Sequence, residues 1–328
     1  MIVYCSNDSL SAHTAKRKSY FDHYSIPSRA VGIANLSNRD TEFTNENSYI
    51  THNGNHFKYA QRLIYAFQVL RKLNLSEGDV VILRGWEFVS LKWIIANKVF
   101  VEITDIPNAV LKWSVLRSIF KLIHARSTLL LTSLAFNSLF KSNDCYLWHN
   151  VAHPITRNLK KTPMAFENDR ILYAGYLRGI SDLFKKARWV HDQADFYGKR
   201  NIIGGESNLI INENYFGEYQ YKRLNTLYYN YRYGYISDFF GLNSSLNLTN
   251  RIYEVILNYA LPVHVKSDKT ARFLNKHNLF YIKSFREFQD TLKLSQEEFI
   301  ILVKQNRKLL LNAIRADNVV LNEVINFY

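Results

Sequence analysis

Short apolar runs alternate with stretches of helical apolar spacing in the first half of the chain. The run DVVIL at 79–83, bounded by Gly78 and by Arg84-Gly85, is typical of a buried parallel strand. The polar stretch 35–55, rich in Asn, Ser and Thr, predicts a long loop. We predict strands at 1–7, 28–34, 79–83, 99–105, 128–133 and 146–150, and helices at 15–24, 56–73, 88–97 and 111–125.

A polar, basic passage at 156–168 separates this half from a second alternation of strand and helix patterns. The second half ends in a long helix predicted at 295–316, where Ser295 and Glu298 have the spacing of a capping box. We predict strands here at 170–175, 200–205, 208–212, 235–240, 261–265 and 279–282.

Strands separated by helical segments favour right-handed βαβ units and parallel sheets. The sequence therefore predicts an α/β protein with two Rossmann-like domains, at 1–155 and 169–328, joined by a linker at 156–168. For the last helix, we also consider packing against the first domain. Ligands of such sheets bind beyond the carboxyl ends of the strands, which directs attention to 6–8, 84–87, 104–105, 175–178 and 240–242.

Composition and charge narrow the classes of partner. The chain has 328 residues, of which 47% are apolar, and a net charge of +14. Up to Pro163, 20 Lys and Arg stand against 11 Asp and Glu. This excess favours a nucleic acid, an anionic membrane face or phosphorylated substrates, and a merely solubilising surface charge is the alternative. Apolar runs are too short to span a membrane, and neither a signal peptide nor a disulfide framework is indicated, so we expect a cytoplasmic protein.

Charged residues follow several predicted strands. Arg84 and Glu87 follow one strand, and Asp105 ends the next. A carboxylate at this edge can accept a proton from a sugar hydroxyl, although a helix cap or a first-turn acid is the plainer interpretation of Glu87 and Asp105. The ten histidines form no metal-binding motif, so we expect no metal.

The stretch ILYAGYLRG at 171–179 has Gly175 after a predicted strand and Arg178 close behind it. A glycine there lets a phosphate approach the backbone, and an arginine offers a bidentate fork for phosphate oxygens. The pattern is neither GxGxxG nor a Walker loop, and a tight turn with a surface arginine is the alternative.

Five stretches together resemble the GT-B glycosyltransferases, most closely the retaining family 4. They are DVVILRGWEF at 79–88, VEITDIP at 101–107, TLLLTSLAF at 128–136, RILYAGYLRG at 170–179 and NRIYEVILNYALPVHV at 250–265. The last is the most specific. The resemblance implies two Rossmann-like domains that face each other across a cleft, the first binding an acceptor and the second a nucleotide sugar.

The resemblance also implies roles for residues. Glu254 would accept hydrogen bonds from the ribose hydroxyls, whereas its alternative role is an ion pair with Arg251 on a solvated face. The family's second glutamate is replaced by Leu246, and its glycine before Leu-Pro-Val by Ala260. The expected site residues are Gly175, Arg178, Lys185, Asn250, Arg251 and Glu254 for the donor, His13, Arg17 and Arg84 for the acceptor, and Asp105, then Glu87, for catalysis.

The expected activity is transfer of a sugar from a nucleotide-activated donor to a hydroxyl of a glycan or lipid-diphosphate-linked acceptor. Such enzymes commonly build bacterial capsule, O-antigen or exopolysaccharide units, here without a metal or other cofactor and on the cytoplasmic face of the inner membrane. We expect no nucleic-acid partner. A basic nucleic-acid-binding protein and a sugar-nucleotide epimerase on paired Rossmann domains are the alternative functions.

Overall fold

The computed structural model describes residues 1–7, 12–35, 48–52, 59–104, 121, 127–140, 143–151, 168–175, 187–198, 214–217, 227–228, 230–236 and 248–326. The contacts divide the chain into two units. The first unit comprises Met1–Arg157, Gly241–Asn247 and Arg315–Tyr328, and the second comprises Asn158–Phe240 and Leu248–Ile314. The chain thus returns to the first unit at its C-terminal end, a packing that we considered for the last helix.

The first unit contains a parallel sheet of seven strands in the order β3-β2-β1-β4-β5-β6-β7. The strands are β1 (Ile2–Ser6), β2 (Ser28–Asn35), β3 (Ser48–His52), β4 (Val80–Arg84), β5 (Lys98–Ile103), β6 (Thr128–Leu131) and β7 (Cys145–Leu147). The described helices are α1 (Ala12–His23), α2 (Tyr59–Lys72), α3 (Trp86–Ser90) and α4 (Asn137–Phe140), with 3₁₀ turns at Lys92–Ile94 and Leu134–Phe136.

Both faces of this sheet are covered, which explains why its strands are apolar throughout. On one face, Val3 and Val81 pack with Val69 of α2 and Phe88 of α3. On the other face, Tyr4, Phe21 of α1 and Trp148 form a second core. Leu321 and Ile325, from the C-terminal end of the chain, complete this second core.

Two predictions for the first unit need correction. Residues 35–55 do not form one long loop, because Ser48–His52 forms the edge strand β3 beside β2. An edge strand has one neighbour only, so it is recognised poorly from apolar periodicity. The predicted helix 88–97 is interrupted after α3 and continues as the 3₁₀ turn Lys92–Ile94. The predicted helix 111–125 lies outside the described residues except for Lys121, which is helical.

The second unit contains a parallel sheet in the order β11-β10-β8-β9. The strands are β8 (Asn168–Ala174), β9 (Ala194–Tyr197), β10 (Tyr231–Tyr235) and β11 (Leu261–Val263). The helices are α5 (Arg188–Gln193), α6 (Arg251–Leu257), α7 (Lys269–Lys276), α8 (Phe285–Leu292) and α9 (Gln296–Asn326), the last ending within the first unit. No helix of the described residues is long and apolar enough to cross a membrane.

The second unit corrects four predictions. Strand β10 begins at Tyr231 and ends at Tyr235, before most of the predicted strand 235–240. Strand β9 was not predicted, since only its first three residues are buried and it is short. Segment 279–282 supplies only an isolated bridge from Ile282 to Val263. Helix α9 runs ten residues beyond the predicted end at 316. The strands predicted at 200–205 and 208–212 lie outside the described residues.

The capping box at the start of α9 is confirmed. The Ser295 backbone N–H and hydroxyl both donate to the Glu298 carboxylate at 2.8 Å, and the Glu298 N–H donates to Ser295 Oγ at 3.3 Å. This reciprocal arrangement satisfies backbone donors that would otherwise lack a partner at a helix start.

Candidate functional site

The first unit has a pocket of about 140 Å³ at the carboxyl ends of β4 and β5. The described residues that line it are Asn7, Arg84, Gly85, Trp86, Val89, Glu102, Ile103 and Thr104. Gly85 has φ +95°, and a Cβ added to it would lie 2.4 Å from the Asn7 side chain. A glycine is therefore required where β4 turns into α3 beside Asn7. The pocket stands where ligands of parallel sheets bind.

Glu102 is the centre of a buried hydrogen-bond network beside this pocket. Its carboxylate accepts from Tyr4 Oη at 2.6 Å and lies 2.8 Å from His13 Nε2. The Arg17 Nε and Nη2 atoms both donate to Glu102 Oε1, at 2.8 and 2.6 Å. The remaining Arg17 donors reach the carbonyl oxygens of His149 and Trp148, and the guanidinium lies 3.8 Å over the Trp148 ring.

Charges in this network compensate each other. Burial alone would raise the pKa of Glu102, but Arg17, His13 and Arg84 outweigh burial and hold this pKa well below its usual range. Glu102 is therefore ionised at neutral pH and pairs with the charged Arg17. Burial also raises the pKa of Tyr4, so its hydroxyl stays a donor to the carboxylate.

His13 lies beside Glu102 but lacks the basicity of a general base. Burial, and next the nearby Arg84, lower its pKa to about 3, although Glu102 acts in the opposite direction. The imidazole is thus neutral at pH 7, and because a carboxylate only accepts, His13 donates to it from Nε2. A base is most effective when its pKa lies near the working pH. His13 is therefore better suited to holding Glu102 than to removing a proton.

The candidate carboxylate Glu87 lies in the first turn of α3 and is buried. It accepts from Asn7 Nδ2 at 3.2 Å and makes a longer contact of 3.4 Å with Arg62 Nη1. Glu87 thus fixes the Asn7 amide at the edge of the pocket. Its catalytic role stays a prediction.

The three residues expected at the acceptor have different surroundings. Arg84 lines the pocket, as expected of a residue that meets a ligand. Arg17 does not fit direct contact with an acceptor, because its side chain is completely buried and its donors are engaged with Glu102 and two carbonyl groups. His13 is 10% exposed and belongs to the same network.

Glu102 and Tyr4 are site residues that the sequence did not predict. Each lies inside an apolar strand, where a single charged or hydroxyl group carries no motif. The available signal was the carboxylate in the run VFVEI, since a buried carboxylate needs a cation nearby.

In the second unit, Gly175 at the end of β8 lies against Arg251 at the start of α6. Gly175 has φ +149°, and an added Cβ would lie 1.7 Å from an Arg251 guanidinium nitrogen. The glycine thus makes room for the guanidinium directly beyond the strand. The same guanidinium lies 5.6 Å from the Tyr173 ring centroid. Two of the predicted donor residues, far apart in sequence, therefore meet at the carboxyl end of the sheet.

Glu254 follows Arg251 within the first turn of α6 and is partly exposed. The Glu254 N–H donates to the Asn250 carbonyl at 3.1 Å. Asn250 occupies the N-cap position with helical backbone angles, and its side chain forms no cap hydrogen bond. Three predicted donor residues thus lie on one short segment beside Gly175. The predicted residues Asp105, Arg178 and Lys185 lie outside the described residues.

No family model and no curated protein sequence matches the chain. The solved structures, by contrast, include full-length matches. The structure of Anabaena Alr3699/HepE in complex with UDP-glucose has a TM-score of 0.65 at 10% identity and covers 100% of both chains. The protein has the GT-B fold. The fold class that the sequence predicted is thereby confirmed.

Other GT-B structures also match over nearly the full length. The E. coli structure described as trehalose-6-phosphate bound with UDP-2-fluoro glucose has a TM-score of 0.60 at 9% identity and covers 98% of both chains. The lipopolysaccharide outer core galactosyltransferase WaaB has a TM-score of 0.55 at 12% identity, covering 96% of this chain and 99% of its own. At such identities the likeness concerns the fold alone.

Proposed function

We propose that this GT-B protein is a glycosyltransferase that moves a sugar from a nucleotide-activated donor to a hydroxyl of a glycan or lipid-linked glycan acceptor. The second unit binds the donor nucleotide and the first unit the acceptor. The observation that carries the proposal is the close approach of Arg251 to Gly175 at the carboxyl end of β8, with Glu254 in the same first turn of α6. Ligands of parallel α/β sheets bind beyond the carboxyl ends of the strands.

The donor side follows from the chemistry of a nucleoside diphosphate. A carboxylate such as Glu254 can accept hydrogen bonds from two vicinal ribose hydroxyls at once. The Arg251 guanidinium beside Gly175 supplies positive charge for the diphosphate, with Arg178 and Lys185 as further cations. These charges stabilise the leaving diphosphate, so the proposed reaction needs no metal.

On the acceptor side, Arg84 lines the pocket of the first unit. Asp105 orients or deprotonates the attacking hydroxyl, and Glu87 is the second candidate. We propose a retaining reaction, in which the acceptor attacks on the leaving-group side and no protein nucleophile is required. An inverting reaction would instead require Asp105 or Glu87 as a true base.

The biological setting is proposed from charge and likeness together. The net charge of +14 fits an acidic or lipid-diphosphate-linked acceptor at an anionic membrane face. Among the similar structures, WaaB is described as a lipopolysaccharide outer core galactosyltransferase. Synthesis of a bacterial surface polysaccharide on the cytoplasmic side of the inner membrane accords with both.

The first experiment measures binding of UDP, GDP, CMP and TDP by calorimetry and thermal shift. We expect one nucleotide to bind and Glu254→Ala to weaken it about tenfold or more, since a hydrogen bond to a charged group contributes about 1.5–3 kcal/mol. Glu297→Ala is the matched control, because Glu297 is an exposed first-turn glutamate of α9.

Absence of binding by every nucleotide would contradict the proposal, as would equal binding by the Glu254→Ala variant. Nucleotide binding without an acceptor-dependent product would favour the epimerase alternative. A steep salt dependence of RNA or DNA binding, with no nucleotide bound, would favour the nucleic-acid alternative.

A further inference from the structure

The pocket of the first unit has a polar wall and room for a small chemical group. Its volume of about 140 Å³ corresponds to roughly four or five water molecules. A group of this size is a phosphate or a carboxylate with its nearest atoms, not a complete oligosaccharide. The charges on the pocket wall determine whether an anionic, neutral or cationic group binds there.

The negative charge of Glu102 is already neutralised. Arg17 donates two hydrogen bonds to this carboxylate, and Tyr4 and His13 contact it as well. Both members of this ion pair are fully buried, with 0% side-chain exposure. Glu102 and Arg17 therefore contribute no net charge to the wall.

Arg84 remains as the charge that forms no ion pair with a carboxylate among the described residues. Its Nη1 atom donates to Ser6 Oγ at 3.2 Å, and that hydroxyl also accepts from Thr14 Oγ1 at 3.0 Å. Its Nε–H is buried, and no acceptor lies within hydrogen-bond reach among the described residues. A buried donor that lacks an acceptor is unfavourable, and a ligand oxygen can satisfy it.

Among the described residues, no other neighbouring charge alters this balance. Glu87, behind Asn7, makes its ion contact with Arg62. Summed over Glu102, Arg17 and Arg84, the described part of the wall carries one net positive charge in a partly dehydrated site. A neutral sugar would leave that charge unmatched.

We propose that this pocket binds an oxyanion of the acceptor, a phosphate or a carboxylate, and that Arg84 determines specificity for this charged group. The term acceptor rests on the proposed function, whereas the anion site rests on the pocket itself. Arg84 pairs with the anion through a charge-assisted hydrogen bond, which is stronger than one between neutral groups. The Glu102 carboxylate takes its arginine hydrogen bonds from Arg17, whereas Arg84 donates to Ser6, so the Arg84 Nε–H stays available for a ligand oxygen.

The test uses the full-length protein labelled with ¹⁵N-tryptophan. Trp86 lines the pocket, and a Trp86→Phe variant assigns its indole signal among the five tryptophans. Inorganic phosphate, methyl glucuronide and the neutral methyl glucoside are titrated at constant ionic strength. We expect the Trp86 signal to respond to phosphate or to the glucuronide, and not to the glucoside. Which of the two anions shifts the signal distinguishes a phosphorylated acceptor from an acidic sugar.

The Arg84→Gln variant should weaken this response at least tenfold, and Arg84→Lys should weaken it less. Arg71→Gln is the matched control, since Arg71 is exposed on α2 and its loss removes the same charge. No Trp86 shift with either anion, or an equal shift in Arg84→Gln with an unchanged thermal midpoint, would overturn the proposal. Because nucleotide binding is measured separately, failure of this site and failure of the transferase proposal are distinguishable.

Discussion

The two units present polar groups at the carboxyl ends of parallel sheets in different ways. In the first unit, Glu102 and Arg17 are buried and joined by hydrogen bonds between residues 85 positions apart. In the second unit, Asn250, Arg251 and Glu254 lie at the start of one short helix, and Gly175 makes room for the Arg251 guanidinium. The Glu102 network of the first unit is part of a buried core. The residues at the start of α6 are instead partly exposed at the edge of the second unit's sheet.

Because of this difference, substitutions in the two regions should affect different properties, stability in the first unit and ligand binding in the second. A buried ion pair is costly to disrupt, because the remaining partner keeps its charge without its counter-charge. A partly exposed residue on a helix turn can be exchanged at little cost to folding. We therefore expect substitutions in the first network to destabilise the protein, and substitutions beside Gly175 to act mainly on the ligand.

The largest effect is expected for Arg17→Met. This change leaves the Glu102 carboxylate buried without its cation, and we expect a loss of about 3–5 kcal/mol in the free energy of unfolding. Urea unfolding followed by fluorescence measures it. The double variant Arg17→Met/Glu102→Leu should recover a large part of the loss, since it removes both charges. A single variant as stable as the wild type would show that the ion pair does not organise this site.

The second effect is a loss of stability at acidic pH caused by His13. The folded pKa of His13, about 3, lies below the value near 6.5 expected in the unfolded chain. Between these values the unfolded state binds more protons, so stability falls as the pH is lowered from about 6.5 towards 3. At pH 4.5, His13 should cost the folded state roughly 2–3 kcal/mol relative to pH 7.

The variant His13→Gln keeps a donor for Glu102 but does not titrate. Between pH 7 and pH 4.5, the free energy of unfolding should therefore fall by roughly 2–3 kcal/mol less in this variant than in the wild type. Urea unfolding at the two pH values measures the difference. His23→Gln, at an exposed position of α1, is the control. Parallel losses in His13→Gln and the wild type would mean that His13 is not held neutral.

The third prediction compares two glycines with positive φ. In Gly175→Ala and Gly217→Ala, strained backbone should cost about 1–2 kcal/mol of stability each. Only at Gly175 does the new Cβ displace a guanidinium, since at Gly217 it meets no described atom within 4 Å. Nucleotide affinity, measured by calorimetry, should therefore fall about tenfold in Gly175→Ala alone. An equal loss of nucleotide affinity in both variants would mean that backbone strain, and not displacement of Arg251, causes the effect.

The smallest effect on stability is expected for Asn250→Ala, within about 0.5 kcal/mol, because the Asn250 side chain caps nothing. Ser284→Ala should cost about 1 kcal/mol, since the Ser284 hydroxyl accepts from the Glu287 N–H at 3.3 Å at the start of α8. Thermal unfolding of both variants measures the contrast. A large loss in Asn250→Ala would assign this residue to folding and not to the ligand.

Most of the described core strands were predictable. Strands β1, β2, β4, β5, β6, β8 and β11 coincide with predicted apolar runs, because a strand covered on both faces must be apolar throughout. The strand β3 was missed because an edge strand has one neighbour. The strand β10 begins four residues before the predicted strand, because its buried residues Tyr231 and Tyr233 carry hydroxyl groups and form no typical apolar run.

Some candidate site residues have a local sequence signal, and others have none. The likeness of NRIYE to a family motif singled out Arg251 and Glu254, and the place of Gly175 after a strand singled out this glycine. The structure brings Gly175 and Arg251 into contact, and their role at a donor stays a prediction. Arg84 follows its strand in the same way. By contrast, Arg17 was expected to meet an acceptor and instead neutralises Glu102, a residue that no local pattern distinguishes.

The sequence by itself determined what depends on local order: the apolar strands, the glycines at strand ends, the capping box of α9 and the contiguous segment from Asn250 to Glu254. Only the tertiary structure decided which polar groups are neutralised. Arg17, Glu102 and Trp148 come together through sheet pairing and helix packing across long sequence separations. The reason is that a buried charge is stabilised by whatever lies within a few ångströms, and spatial neighbours are a property of the fold.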